Sequence, residues 1–277
     1  MLTGAGYRVV LPNIRGSAGY GRHWIRPQLG DWGGVDADDV HAALDHVVEL
    51  GLADPTKLGA LGLSYGGFMV NWLVGTSDRF AAAVSENGVT NQVSDWANSD
   101  SGPVYDRLAL LGDPFSESGI EKLWRQSPLR HVTEVRTPLL MLQAEADLRC
   151  PPQDNEQFFI ALRHLGRTVE YVLYPEESHV FSSSGRPDRR SDRHVGGAER
   201  RDDAVLPAHV VCCGEHLAEG WPAQDGALPA GIGDAVGQVG VTARYQLQLE
   251  RRLGSRHVVL VPGGDLFDVD PLHRGEP

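Results

Sequence analysis

Leu58-Gly59-Ala60-Leu61-Gly62-Leu63-Ser64-Tyr65-Gly66-Gly67 runs straight on into Phe68-Met69-Val70-Asn71-Trp72-Leu73-Val74. The first six residues read as a buried strand, and the last seven continue as a helix. Between them, Gly62 to Gly66 spell G-x-S-x-G with an extra glycine behind. A serine at a tight strand-to-helix turn sits at a strained backbone angle, and side chains at its flanking positions would collide. Such a turn lifts the hydroxyl above the sheet edge and turns the next amide toward a substrate. Ser64 is therefore the candidate nucleophile.

Strands and helices alternate on either side. Tyr7 to Leu11, Phe80 to Ser85, Pro138 to Gln143 and Val169 to Tyr174 are short apolar or β-branched runs that predict further strands. Between Asp36 and Leu50, apolar residues fall at Val40, Leu44, Val47 and Val48, a helical spacing. Gln153 to Leu165 predicts another helix, stopped by Gly166. The order implies an α/β fold with a mainly parallel sheet.

A serine hydroxyl is a weak nucleophile and needs a base, and the base needs an orienting carboxylate. On a sheet of this kind the partners follow in the order serine, acid, histidine. Asp147 lies in the loop after one strand and His179 in the loop after the last, both beyond carboxyl ends, where open α/β sheets place their sites. Glu145 is the rival acid. His131 and His164 are rival bases that fit less well, His164 because it falls inside a helical pattern.

Composition bounds the rest. The 277 residues carry a formal charge of −12, with 41% hydrophobic and 22% charged residues. That is ordinary for a soluble globular protein, and it gives no attraction to nucleic acid. Cys150, Cys212 and Cys213 are odd in number and two are adjacent, so no disulfide framework is expected and a reducing cytoplasm is the default location. No apolar stretch is long enough for a membrane span, and the N-terminus lacks the pattern of a signal peptide. His209-x-x-Cys212-Cys213-x-x-His216 suggests a metal site at first sight. Vicinal cysteines seldom reach one ion together, so no metal or other cofactor is expected. Asp36, Asp38 and Asp39 read as the acidic first turn of a helix.

Five further segments join the elbow in order. They are Asn13-Ile14-Arg15-Gly16-Ser17-Ala18-Gly19-Tyr20-Gly21, Gly30-Asp31-Trp32-Gly33-Gly34, Asp147-Leu148-Arg149-Cys150-Pro151, Glu177-Ser178-His179 and Ser184-Gly185-Arg186-Pro187-Asp188. Together they resemble the catalytic domain of the prolyl oligopeptidase family, most of all its acylaminoacyl-peptidase branch. The resemblance covers residues 1–193 and implies an α/β-hydrolase fold that cleaves short peptides through an acyl-enzyme. An esterase or lipase on the same fold is the first alternative, and a truncated, non-catalytic fragment the second. The resemblance implies that the Tyr20 hydroxyl and the Tyr65 amide hold the oxyanion and that Arg149 grips a substrate carbonyl. Trp72 and Trp96 could line a pocket, though a core position suits both better.

The resemblance also implies parts this sequence does not supply. These are an N-terminal β-propeller, early strands with a His-Gly-Gly-Pro segment, and a final amphipathic helix. One early strand would lie between Tyr7–Leu11 and Leu58–Leu63, so those two are expected to lack a ladder partner there. From residue 194 to 277 the chain has no lysine, methionine or asparagine, and no clear periodicity. A reading-frame change near residue 190 would explain this tail; an appended domain is the alternative.

Overall fold

The computed structural model describes residues 7–180 and, as backbone, residues 257–260. Six strands form one sheet: β1 (Tyr7–Val10), β2 (Leu58–Leu63), β3 (Phe80–Glu86), β4 (Leu139–Ala144), β5 (Val169–Tyr174) and β6 (His257–Leu260). Their order is β1-β6-β2-β3-β4-β5, and every neighbouring pair is parallel. Five α-helices of seven residues or more accompany them among the described residues: α1 (Val35–Glu49), α2 (Tyr65–Thr76), α3 (Gln92–Asn98), α4 (Gly119–Arg125) and α5 (Pro152–His164).

The sequence patterns explain these elements. In α1, Val40 and Leu44 recur one turn apart and are fully buried. In α5, Phe158 and Leu162 do the same. Helix α2 is apolar almost all round, and nearly every residue of it is buried, as expected for a helix enclosed on all sides. Phe68, Met69 and Leu73 of α2 share one cluster with Leu44, Leu58, Met141 and Phe158. A smaller cluster contains Tyr7, Val84, Leu142 and Tyr174. Among the described residues no helix is long and apolar enough to cross a membrane.

One expectation is corrected. The slot between β1 and β2 is not left without ladder partners: β6 lies there, with Val259 in register with Val9 on one side and Gly59 on the other. His257-Val258-Val259-Leu260 is a short β-branched run, suited to a strand flanked on both edges. The rest of the tail, including the region near residue 190 and the His209–His216 motif, lies outside the described residues. The acidic run at the start of α1 is also more than a solvated first turn. Asp36 is fully buried, and Asp39 forms an ion pair with Arg15 at 2.8 Å.

A proline at position 259 would remove an amide from the middle of this sheet. Val259→Pro leaves a ladder acceptor unpaired and is expected to lower stability by about 1–3 kcal/mol in urea unfolding. An unchanged midpoint would show that β6 does not hold that slot.

Candidate active site

Parallel pairing places the carboxyl ends of β2, β3, β4 and β5 along one edge, and the site is assembled there. Ser64 follows β2 directly. Its backbone sits at φ 61° and ψ −119°, a left-handed conformation that costs a non-glycine residue of order 1–3 kcal/mol. Neighbouring packing enforces it. The Ser64 amide donates to the Glu86 carbonyl at 2.9 Å. A side chain at Gly62 would come within 2.2 Å of the Gly66 carbonyl, and one at Gly67 within 2.7 Å of the Glu86 oxygen. Both glycines are therefore required by close backbone approach.

Ser64 Oγ lies 2.8 Å from His179 Nε2, and His179 Nδ1 lies 2.8 Å from Asp147 Oδ2. The other Asp147 oxygen accepts the Arg149 amide at 2.8 Å and the Cys150 amide at 2.9 Å. Asp147 is 2% exposed, and three N–H donors replace the water it has lost. A carboxylate so surrounded only accepts, which puts the imidazole proton on Nδ1 and leaves the Nε2 lone pair facing the serine hydroxyl. This arrangement can remove the Ser64 proton and stabilise the imidazolium that results.

Asn87 also belongs to the site, although the sequence did not single it out. It follows β3 at φ 43°. Its side chain donates to the His179 carbonyl at 2.6 Å and accepts the Ala144 amide at 2.8 Å. It thereby ties the histidine loop to the end of β4. Its signal in the sequence is its place just past a strand, in Glu86-Asn87-Gly88.

The Tyr65 amide opens α2 and, as a first-turn N–H, has no acceptor within the helix. The Tyr65 ring points inward. Its hydroxyl donates to Asp36 at 2.6 Å and accepts from Gln28 Nε2 at 2.8 Å. Burial raises Asp36 to about 6, and the Tyr65 hydroxyl opposes that rise. Tyr20 is 49% exposed and packs on Trp24, with ring centroids 5.9 Å apart. It is not among the residues lining the pocket at Ser64. Arg149 does line that pocket, and its Nε donates to Asp100 at 2.6 Å. Trp32 also lines it, whereas Trp72 packs edge-on against His131 and Trp96 against Phe115. The rival Glu145 accepts the Glu176 amide, and the rival His164 closes α5. A single π turn, Gly102–Asp106, brings Tyr105 and Asp106 to the pocket.

Replacing Asp147 by Asn would present an NH₂ where His179 needs an acceptor. Asp147→Asn is expected to lower kcat by about 10⁴-fold in a chain that still unfolds cooperatively. Asn87→Ala frees the histidine loop and is expected to cost on the order of 10²-fold in kcat, as small misplacements do. Full activity in Asp147→Asn would remove His179 and Asp147 from the chemistry.

Comparison with known proteins gives a consistent picture. The chain is 43% identical over 194 residues to the uncharacterized peptidase YuxL of Bacillus subtilis, across 70% of this chain and 29% of that protein. It is 33% identical over 187 residues to the acylamino-acid-releasing enzyme of Arabidopsis thaliana, across 64% of this chain and 24% of that protein. Among solved structures, the uncomplexed acylaminoacyl peptidase of Pyrococcus horikoshii matches with a TM-score of 0.63 at 32% identity, covering 66% of this chain and 30% of that one. An acylaminoacyl peptidase in complex with Z-Gly-Gly-Phe-chloromethyl ketone matches with a TM-score of 0.62 at 32% identity, over 65% and 29% of the two chains. The chain thus spans less than a third of the length of these relatives. The sequence model of the prolyl oligopeptidase family matches residues 1–195, most of the chain, and the protein belongs to that family.

Proposed function

We propose that this chain carries a serine peptidase centre that cleaves short peptides through an acyl-enzyme. The observation that carries the reading is the continuous hydrogen-bonded line from Ser64 Oγ through His179 to buried Asp147, beneath a serine held in a strained turn. In the first half-reaction, Ser64 Oγ bonds to the substrate carbonyl carbon while its proton passes to His179 Nε2. The Tyr65 amide stabilises the oxyanion, and the Tyr20 hydroxyl is assigned as the second donor on family resemblance. Each such donor is worth about 2.7–4 kcal/mol of barrier. The C–N bond then breaks as His179 protonates the leaving amine. Water, activated by the same histidine, hydrolyses the ester that remains. Arg149 at the pocket wall is assigned to a substrate carbonyl.

Peptide substrates are supported by the relatives named as peptidases and by the peptide chloromethyl ketone bound in one of them. Cys150 is a buried free thiol, which suits the proposed cytoplasmic location. The test compares N-blocked peptidyl p-nitroanilides with a p-nitrophenyl ester. Both are expected to turn over, with an initial burst from the ester and loss of both in Ser64→Ala. Ester cleavage with no anilide cleavage would favour the esterase; neither would leave a non-catalytic chain.

A further inference from the structure

The pocket lined by Ser64 is also lined by carboxyl groups. Asp95 from α3 and Asp106 from the π turn both line it, at 3% and 5% exposure. Among the described residues, Asp95 Oδ1 and Asp106 Oδ2 have no hydrogen-bond partner. Gln92 lines the same pocket, is 1% exposed, and its side-chain nitrogen is likewise without a partner. Trp32 Nε1, in the same lining, has no partner either; buried polar atoms left unpaired are costly, and among the described residues the pocket gathers four of them, two being carboxylate oxygens. Asp147 shows the contrast: it is equally buried, yet both its oxygens are occupied.

The two carboxyls are held in an environment that disfavours their charge. Burial pushes Asp95 well above the usual carboxylate range, and proximity to Asp106 and Asp154 pushes it further. Burial lifts Asp106 to about 6, opposed by Asp95 and Arg149. Each carboxyl raises the cost of ionising the other, so the pair favours a cation that would relieve it. Asp154, behind them, is bonded to Ser94 Oγ and is raised to about 7, mainly by burial. Among the described residues, Arg149 is the one cation in the pocket lining, and its Nε already donates to Asp100. The walls, Trp32 and Tyr105, are aromatic and suit the methylene stem of a long cationic side chain.

We propose that this pocket selects a lysine or arginine side chain on the residue whose carbonyl Ser64 attacks, with the Asp95–Asp106 carboxyl pair receiving the cation. The proposal rests on the serine-peptidase reading and adds the substrate class to it. The shared chemistry is an organic cation, and a free α-ammonium on the same residue would offer it too; the proposal commits to the side chain.

The test uses the full chain and pairs that differ by one group. N-acetyl-lysyl and N-acetyl-norleucyl p-nitroanilides have side chains of nearly equal shape, with and without the ammonium. The lysyl substrate is expected to show kcat/KM about tenfold higher or more, as a charge-assisted hydrogen bond in a desolvated pocket would give. Diphenyl phosphonate inactivators with the same two side chains should show the same ratio in their rate of attachment to Ser64. That arm separates the two ideas: phosphonate selectivity without anilide cleavage would support the pocket and sink the peptidase reading. Asp95→Asn and Asp106→Asn should each bring the lysyl-to-norleucyl ratio toward one. The ratio is internal to each variant, so a general loss of activity does not imitate the effect. If either variant fails to fold, the wild-type ratio still decides. Equal or faster reaction of the norleucyl compounds with the wild-type chain would overturn the proposal. So would a gain confined to unblocked norleucyl anilide, because the cation read would then be the α-ammonium.

Discussion

Parallel pairing of β2, β3, β4 and β5 is the constraint on which the site depends. In a parallel sheet every strand delivers its carboxyl end to the same edge. Ser64, Asn87, Asp147 and His179 each come just past one of these ends. They are far apart in sequence, and the ladder brings their loops to one edge, where bonds such as Asn87 to the His179 carbonyl fix them. The elbow is tied to the same ladder through the Ser64 amide on the Glu86 carbonyl. Strain at Ser64 is sustained because the sheet and the Gly62–Gly66 contact leave the backbone no other place to go.

Burial of charge sets two groups of carboxyls near Ser64 apart. Asp147 is enclosed but meets three N–H donors, so its charge is compensated and it can serve His179. Asp95 and Asp106 are enclosed without N–H donors of this kind, and burial moves their carboxyls toward the neutral form. The Asp147 carboxylate is thus fully bonded, and the Asp95 and Asp106 carboxyls have unused polar capacity. A substrate that spans both would meet a nucleophile at one end and an electrostatic demand at the other.

Much of this was legible from local pattern. Strands β2 and β5 begin and end where the apolar runs do, and the long helices follow the 3.6-residue spacing of Val40 with Leu44 and of Phe158 with Leu162. Ser64, Asp147 and His179 could be picked out because strand ends mark positions on the sheet edge. The segment between Glu86 and Leu139 was not legible. Its helices are barely two turns long, and they are held by contacts remote in sequence, such as the Gln92 amide on Ser127 Oγ and the Leu129 amide on the Thr90 carbonyl. No local periodicity records such bonds. Asp95 and Asp106 lie in that segment, so their meeting at the pocket was hidden too. Strand β6 was invisible for the same reason: four residues of a patternless tail pair with partners some 200 or more positions earlier.

The central claim is that Ser64 is an activated nucleophile. Incubating the full chain with a fluorophosphonate, followed by peptide mapping in a mass spectrometer, tests it most directly. The account predicts one adduct per chain, on the peptide that carries Ser64, forming far more slowly when His179 is replaced by Ala. A cooperatively folded chain with no adduct at Ser64, or one whose labelling rate ignores His179, would contradict it.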